Sequence, residues 1–174
     1  LFMHLLGLQN LRVALRLCEQ GEWSVRTVPD VWYLPHTIGK EFVQDSRIYD
    51  QLPQWLDWMP VVTSAQIARG NDAHAERMEW GLGLEQAEAA QLGFAPQEPA
   101  QLLHLGRVLE IYCSWEIPAE HGSEKGLYQY CMERARALNL VPEPVMFRRV
   151  FCYTEKGGTK QVHNVLRVPV KMAE

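Results

Sequence analysis

Arg149 stands in a run where rings recur at every second position: Phe147, Arg149, Phe151, Tyr153. Alternate residues of a strand share a face. A guanidinium placed among rings in this way can stack on them or hold an anionic group through a fork of hydrogen bonds. A second grouping sets carboxylates beside rings, with Glu110 and Glu116 flanking Tyr112 and Trp115. An apolar pocket raises the pKa of a carboxyl, which suits it to general-base work. Tyr33 and Trp80 lie in further strand-like segments. An aromatic sheet face bounded by a few charges makes a pocket for a flat apolar molecule. The candidate ligand-binding set is therefore Tyr33, Trp80, Tyr112, Trp115, Glu116, Phe147, Arg149, Phe151 and Tyr153. Packing beneath helices is the competing use for each ring, and a solvated strand edge the competing use for each charge, Arg148 and Arg167 included.

Other chemistries lack their residues. No G-x-S-x-G, H-E-x-x-H, P-loop or G-x-G-x-x-G pattern occurs. Gly81-Leu82-Gly83 has no third glycine, and His4, His36, His74, His104, His121 and His163 are scattered. Cys18, Cys113, Cys131 and Cys152 form no C-x-x-C pair, so neither a metal nor a cofactor is expected, and the thiols read as buried and free in a cytoplasmic protein. Seventeen Lys and Arg against 21 Asp and Glu give a net charge of −4, with no basic run beyond Arg148-Arg149, which argues against a nucleic-acid face. No apolar run is long enough to span a membrane. Arg12 and Arg16 follow the apolar opening, whereas a signal peptide carries its positive charge first. Because the chain begins at Leu1, it is expected to be one domain of a longer protein.

The elements that must position these residues read as an α+β domain. With 174 residues, 47% hydrophobic, the chain can bury a substantial core. Residues 1–20 predict a helix, with Leu1, Leu5, Leu8, Leu11, Leu15 and Cys18 at helical spacing and Gly21 as its C-cap. Trp23 to Val28 alternates and continues through Val31 to Leu34, one long strand interrupted by Pro29. Ile48 to Trp58 predicts a helix whose regular part starts near Leu52, because Pro53 belongs in a first turn. Val61–Arg69 and Arg77–Leu84 predict strands about a turn at Gly70-Asn71-Asp72. Gly81 and Gly83 face one way, where a ligand or another backbone can approach. The order then recurs. Leu102–Trp115 is strand-like, Ser123–Leu140 is a helix capped by Ser123, and Val145–Tyr153 and Val162–Val170 flank the turn Glu155-Lys156-Gly157-Gly158. Two tandem strand–helix–strand–strand modules follow, 22–84 and 100–172, joined by a linker at 85–99, with Val25 set against Leu109. They predict an antiparallel sheet with helices on one face and a central ligand cleft, preceded by the N-terminal helix.

Glu22-Trp23-Ser24-Val25-Arg26-Thr27-Val28-Pro29, the helix ending Leu56-Asp57-Trp58-Met59-Pro60, and Asn164-Val165-Leu166-Arg167-Val168-Pro169-Val170-Lys171 resemble the gyrase-inhibitor-like (GyrI-like) effector-binding domain. The resemblance covers roughly residues 22–172 and rests mainly on the duplicated element order. It implies a continuous sheet whose cleft binds hydrophobic, often cationic, drugs and dyes. It also implies a place C-terminal to a DNA-binding head in a MerR-type or AraC-type transcription regulator. Residues 1–20 then resemble the last turns of the long helix that pairs two subunits, so a homodimer is expected, and DNA contact only through a domain outside this chain. Members that sense cations carry a glutamate within a Phe-Glu-x-Tyr-like stretch. The matching stretch here is Phe147-Arg148-Arg149-Val150-Phe151, with arginine in the acid's place. An arginine repels a cation unless Glu110 or Glu116 substitutes.

The first expectation is thus a multidrug-binding type of small-molecule sensor that performs no turnover. A hydrolase using Glu110 or Glu116 ranks second, and a protein-interaction inhibitor third.

Overall fold

The computed structural model describes residues 2–71, 74–117 and 124–174. Leu1, Asp72, His121 and Ser123, which carry sequence expectations, lie outside the described residues. The first half of the chain runs α1 (Phe2–Gln20), β1 (Trp23–Thr27), β2 (Val31–Ile38), β3 (Glu41–Phe42), α2 (Ser46–Leu56), β4 (Thr63–Gly70) and β5 (Ala75–Glu85). The second runs α3 (Gln86–Leu92), β6 (Gln101–Leu103), β7 (Arg107–Ile117), α4 (Glu124–Ala137), β8 (Leu140–Pro142), β9 (Val145–Lys156) and β10 (Thr159–Met172). The fold is α+β, built on one antiparallel sheet of ten strands.

The sheet order is β1-β7-β10-β9-β4-β5-β2-β3, with β6 added on β2 and β8 on β10. Its midline is the β4–β9 pair, where Ala65 faces Arg149 and Gln66 faces Arg148. About that seam β7, β10 and β9 repeat β2, β5 and β4. The expected long strand at 23–34 is two strands on opposite flanks, since β1 pairs β7 while β2 pairs β5. Pro29 has no N–H to extend a ladder, and Val28 N–H is already given to the Gly106 carbonyl at 3.0 Å. Likewise Leu102–Trp115 divides into β6 and β7, and β6 joins β2 on the far flank. Each half lends its leading strand to the other. The counterpart of Val25 is therefore in β6, not at Leu109 of β7, and the repeat is helix–strand–strand–helix–strand–strand. The 85–99 stretch contains α3, closed by Gly93 in the left-handed region at φ 63.

Helices α2 and α4 cover one face. Beneath α2 lie Leu34, Leu82 and Leu84 with Ile48 and Trp55. Beneath α4 lie Leu109, Leu166 and Val168 with Tyr128, Cys131 and Met132. The second helix starts at Ser46, earlier than Pro53 predicts, and Pro53 sits inside it. Two contacts explain the early start. Asp45 caps it by accepting the Arg47 N–H at 3.0 Å. Gln51 accepts from Trp55 Nε1 at 3.0 Å and donates to the Gln97 carbonyl at 3.1 Å.

Helix α1 lies against the opposite face, while α3, continuing from β5, packs Ala89 and Leu92 into the cluster beneath α2. The first approaches through small residues, Gly7, Ala14 and Cys18, which are buried, while Leu5, Leu8 and Val13 are more than half exposed. At Gly7 a Cβ would stand 3.0 Å from Pro60. Close approach selects small side chains here, which the leucine spacing does not disclose. The space opened by Gly81 is filled from within the fold: a Cβ there would collide with the Leu34 carbonyl and stand 2.7 Å from the Tyr33 ring. Among the described residues no helix is long and apolar enough to cross a membrane.

Candidate ligand-binding site

Between α1 and α3, over the β7–β10–β9 surface, lies a cavity of about 410 Å³. Its roof is Asn10, Val13, Ala14 and Leu17 of α1, its side wall Glu85, Ala87, Glu88 and Gln91, and its floor Tyr112, Arg149, Phe151 and Arg167. The floor follows from register. Tyr112 and Arg149 both face Val165 of β10, so the two share a face. Phe151 is the extra residue of a bulge, since Val150 faces Asn164 while Cys152 faces His163. The Tyr112 and Phe151 rings lie nearly parallel, 8° apart in plane with centroids at 6.1 Å.

The charges form a chain that alternates in sign. Arg26 grips Glu110 with a fork, Nε to Oε1 at 2.9 Å and Nη2 to Oε2 at 3.0 Å. Arg167 donates Nε to Glu110 Oε2 at 2.9 Å and Nη2 to Glu85 Oε1 at 3.1 Å. Arg149 continues the chain with longer contacts, Nη1 to Glu85 Oε1 at 3.5 Å and Nη2 to Glu88 Oε2 at 3.4 Å. It is fixed by Thr63 Oγ1 at 2.9 Å and the Val61 carbonyl at 3.1 Å. Glu88 Oε2 also reaches back to accept the Glu85 N–H at 2.9 Å, as in a capping box. Burial pushes the Glu88 carboxyl above the ordinary range, and Arg149 offsets only part of that. Arg167 Nη1 is buried with no hydrogen-bond partner.

The opposite face holds a second arrangement at the midline. Arg148 lies between two indoles, 5.2 Å from the Trp80 ring centroid and 4.9 Å from that of Trp115. It donates to Asn164 Oδ1 at 2.8 Å and Gln66 Oε1 at 3.2 Å. The two modules thus share one guanidinium between a Trp from each.

Of the expected site residues, the structure brings Tyr112, Arg149 and Phe151 into the cavity. Tyr33 and Phe147 share its sheet face but are buried edge to face at 6.5 Å, with Phe147 lining a smaller space of about 170 Å³ beside Ile67 and Leu103. Trp80 and Trp115 belong to the Arg148 stack on the other face. Glu116 is exposed near the end of β7. Tyr153 is 61% exposed, because the bulge at Phe151 breaks the alternation and leaves Tyr153 opposite Val162, in register with Trp115. Glu110 is bound by two arginines.

The chain matches no family model and no curated protein.

Glu85, Glu88 and Arg167 are cavity residues that reading the sequence for a site passed over. The available signal was Glu85-x-x-Glu88 ahead of an alanine-rich stretch, the spacing of a helix start. Among the described residues no His, Cys, Asp or Glu cluster could hold a metal ion. The thiols are poor nucleophiles, since burial pushes Cys18 up to about 11 and Cys113 up to about 12. His163, buried near α1, contacts Ser114 Oγ at 2.6 Å and Thr154 Oγ1 at 2.7 Å, so both ring nitrogens are occupied.

Proposed function

We propose that this chain is the GyrI-like effector-binding domain of a cytoplasmic MerR-type transcription regulator, sensing a hydrophobic aromatic small molecule in the cavity between α1 and α3. The observation that carries the reading is the roof. The helix expected to lead to an upstream head is also the helix that closes the cavity, through Asn10, Val13, Ala14 and Leu17. A ligand seated below it acts directly on the segment through which a signal would leave the domain. The exposed Leu5 and Leu8 support pairing of α1 with the same helix of a second subunit. Binding without turnover suits a site whose carboxylates are each engaged by arginine.

The test is a thermal-shift screen with planar aromatic compounds, repeated on Tyr112→Ala and Phe151→Ala. A ligand at a hundredfold excess over its Kd stabilises the native state by about 2.7 kcal/mol. The expected result is a saturable rise in Tm that either substitution abolishes. A rise that both variants retain places the ligand elsewhere and rejects the cavity.

A hydrolase remains the second reading, favoured by one observation: the Glu88 carboxyl is raised by burial inside a cavity. Release of nitrophenol from nitrophenyl esters that Glu88→Gln abolishes would favour it over the sensor.

A further inference from the structure

We propose that the cavity selects an aromatic zwitterion, its ammonium taken by Glu88 and Glu85 and its carboxylate by Nη1 of Arg149. This deepens the ligand-site reading and rests on it.

Three features of the charge chain carry the inference. The three arginines and three glutamates, Arg26, Arg149, Arg167, Glu85, Glu88 and Glu110, carry no net formal charge. A ligand of one sign therefore meets no excess of the other. The contacts also fall into two classes. Those tying Arg26, Glu110, Arg167 and Glu85 are 2.9–3.1 Å, whereas those from Arg149 to Glu85 and Glu88 are 3.5 and 3.4 Å. The loose pairs line the cavity, and Arg149 keeps its position through Thr63 and Val61 when they open.

The third feature is exposure. The carboxylate side chains of Glu85 and Glu88 are 19% and 18% exposed, while those of Arg149 and Arg167 are 5% and 3% exposed. Carboxylates form the rim and guanidiniums the depth. The least satisfied donor of a cavity-lining arginine is Arg149 Nη1, whose ion-pair contact is the 3.5 Å one, whereas Arg167 Nη1, though it lacks a partner, is sealed from the cavity.

A cation that took Glu88 from Arg149 would weaken the pairing of a buried guanidinium. An anion that took Arg149 would leave Glu88 unpaired in a site that already penalises its charge. Uncompensated buried charge is the expensive outcome in both cases. A ligand bearing both signs replaces the Arg149–Glu88 contact with two of its own, while Tyr112, Phe151 and Leu17 receive its ring.

Three indoles that differ in charge test this on the wild-type chain near neutral pH: L-tryptophan, tryptamine and indole-3-propionate. Calorimetry is expected to give a Kd for tryptophan lower than either analogue's by roughly tenfold or more. In Glu88→Gln, tryptophan loses that advantage over indole-3-propionate, with the fold checked by circular dichroism. Equal or tighter binding of either analogue to the wild-type chain overturns the charge selection and leaves a ligand site standing. Failure of all three also overturns it. Nile red then decides the underlying reading: wild-type binding that Tyr112→Ala removes preserves the ligand site, and absence of such binding rejects it too.

Discussion

Arg167 and Glu110 face each other across β10 and β7, and 2.9 Å separates two side chains that are each 3% exposed. Cross-strand partners at this depth hold the floor of the cavity, because the same two residues are also bonded to Glu85 and Arg26. Glu110 thereby works as a structural hub. Its carboxylate has no free edge for a substrate.

Glu110→Ala should destabilise the protein by about 3–5 kcal/mol, since it leaves Arg167 buried without its principal partner. For a chain of this length that lowers Tm by roughly 10 °C. Urea denaturation checks it, and an effect below about 1 kcal/mol would mean that the pair contributes little beyond its desolvation penalty.

Glu88 supplies a pH dependence of definite sign. Its folded pKa is raised, so its contribution to stability is fully present below the unfolded value and is lost as pH rises through the folded one. Glu88→Gln removes that loss. The variant should melt above the wild type at pH 8, with the gain shrinking toward pH 4, and melting curves across that range read it directly. A variant less stable at pH 8 would show that Arg149 outweighs burial at this carboxyl.

Arg148 joins the modules through two stacked indoles and two amide oxygens. Arg148→Ala should cost about 1–3 kcal/mol, because it leaves the buried oxygens of Asn164 and Gln66 unpaired. Arg148→Lys should recover only part of this, because an ammonium cannot reproduce a planar fork stacked on rings. Both should change tryptophan fluorescence, with Trp80 and Trp115 as the reporters. Equal stability of the lysine variant and the wild type would rule out the stacking argument.

Gly81→Ala should be among the most damaging single-methyl changes, because the new Cβ meets the Leu34 carbonyl of the neighbouring strand. Loss of most folded protein, or a drop above about 3 kcal/mol, is expected. Normal stability would require β2 to have shifted, which amide hydrogen exchange at Leu34 would reveal.

The repeat was legible because strands of eight or more residues, such as β4, β5, β9 and β10, carry alternation and are separated by glycine-rich turns. Strands of two or three residues, β3, β6 and β8, are too short for a period to register. The exchange of β1 and β6 was illegible for a different reason: which strand a segment pairs with is a non-local property. Within the site, Tyr112, Arg149 and Phe151 could be picked out by type and parity. Tyr153 could not be placed correctly, because one bulged residue reverses parity for everything beyond it. Glu85 and Glu88 were obscured by a seven-residue helix whose sequence, Gln-Ala-Glu-Ala-Ala-Gln-Leu, shows no apolar stripe.

The reciprocal loan of β1 and β6 has a mechanical corollary. Neither half possesses all of its own sheet, so the two sides of the β4–β9 seam are joined not only by that ladder but by two short chain crossings, residues 28–30 from β1 to β2 and residues 104–106 from β6 to β7. A motion of one side of the seam against the other would load those two three-residue crossings first.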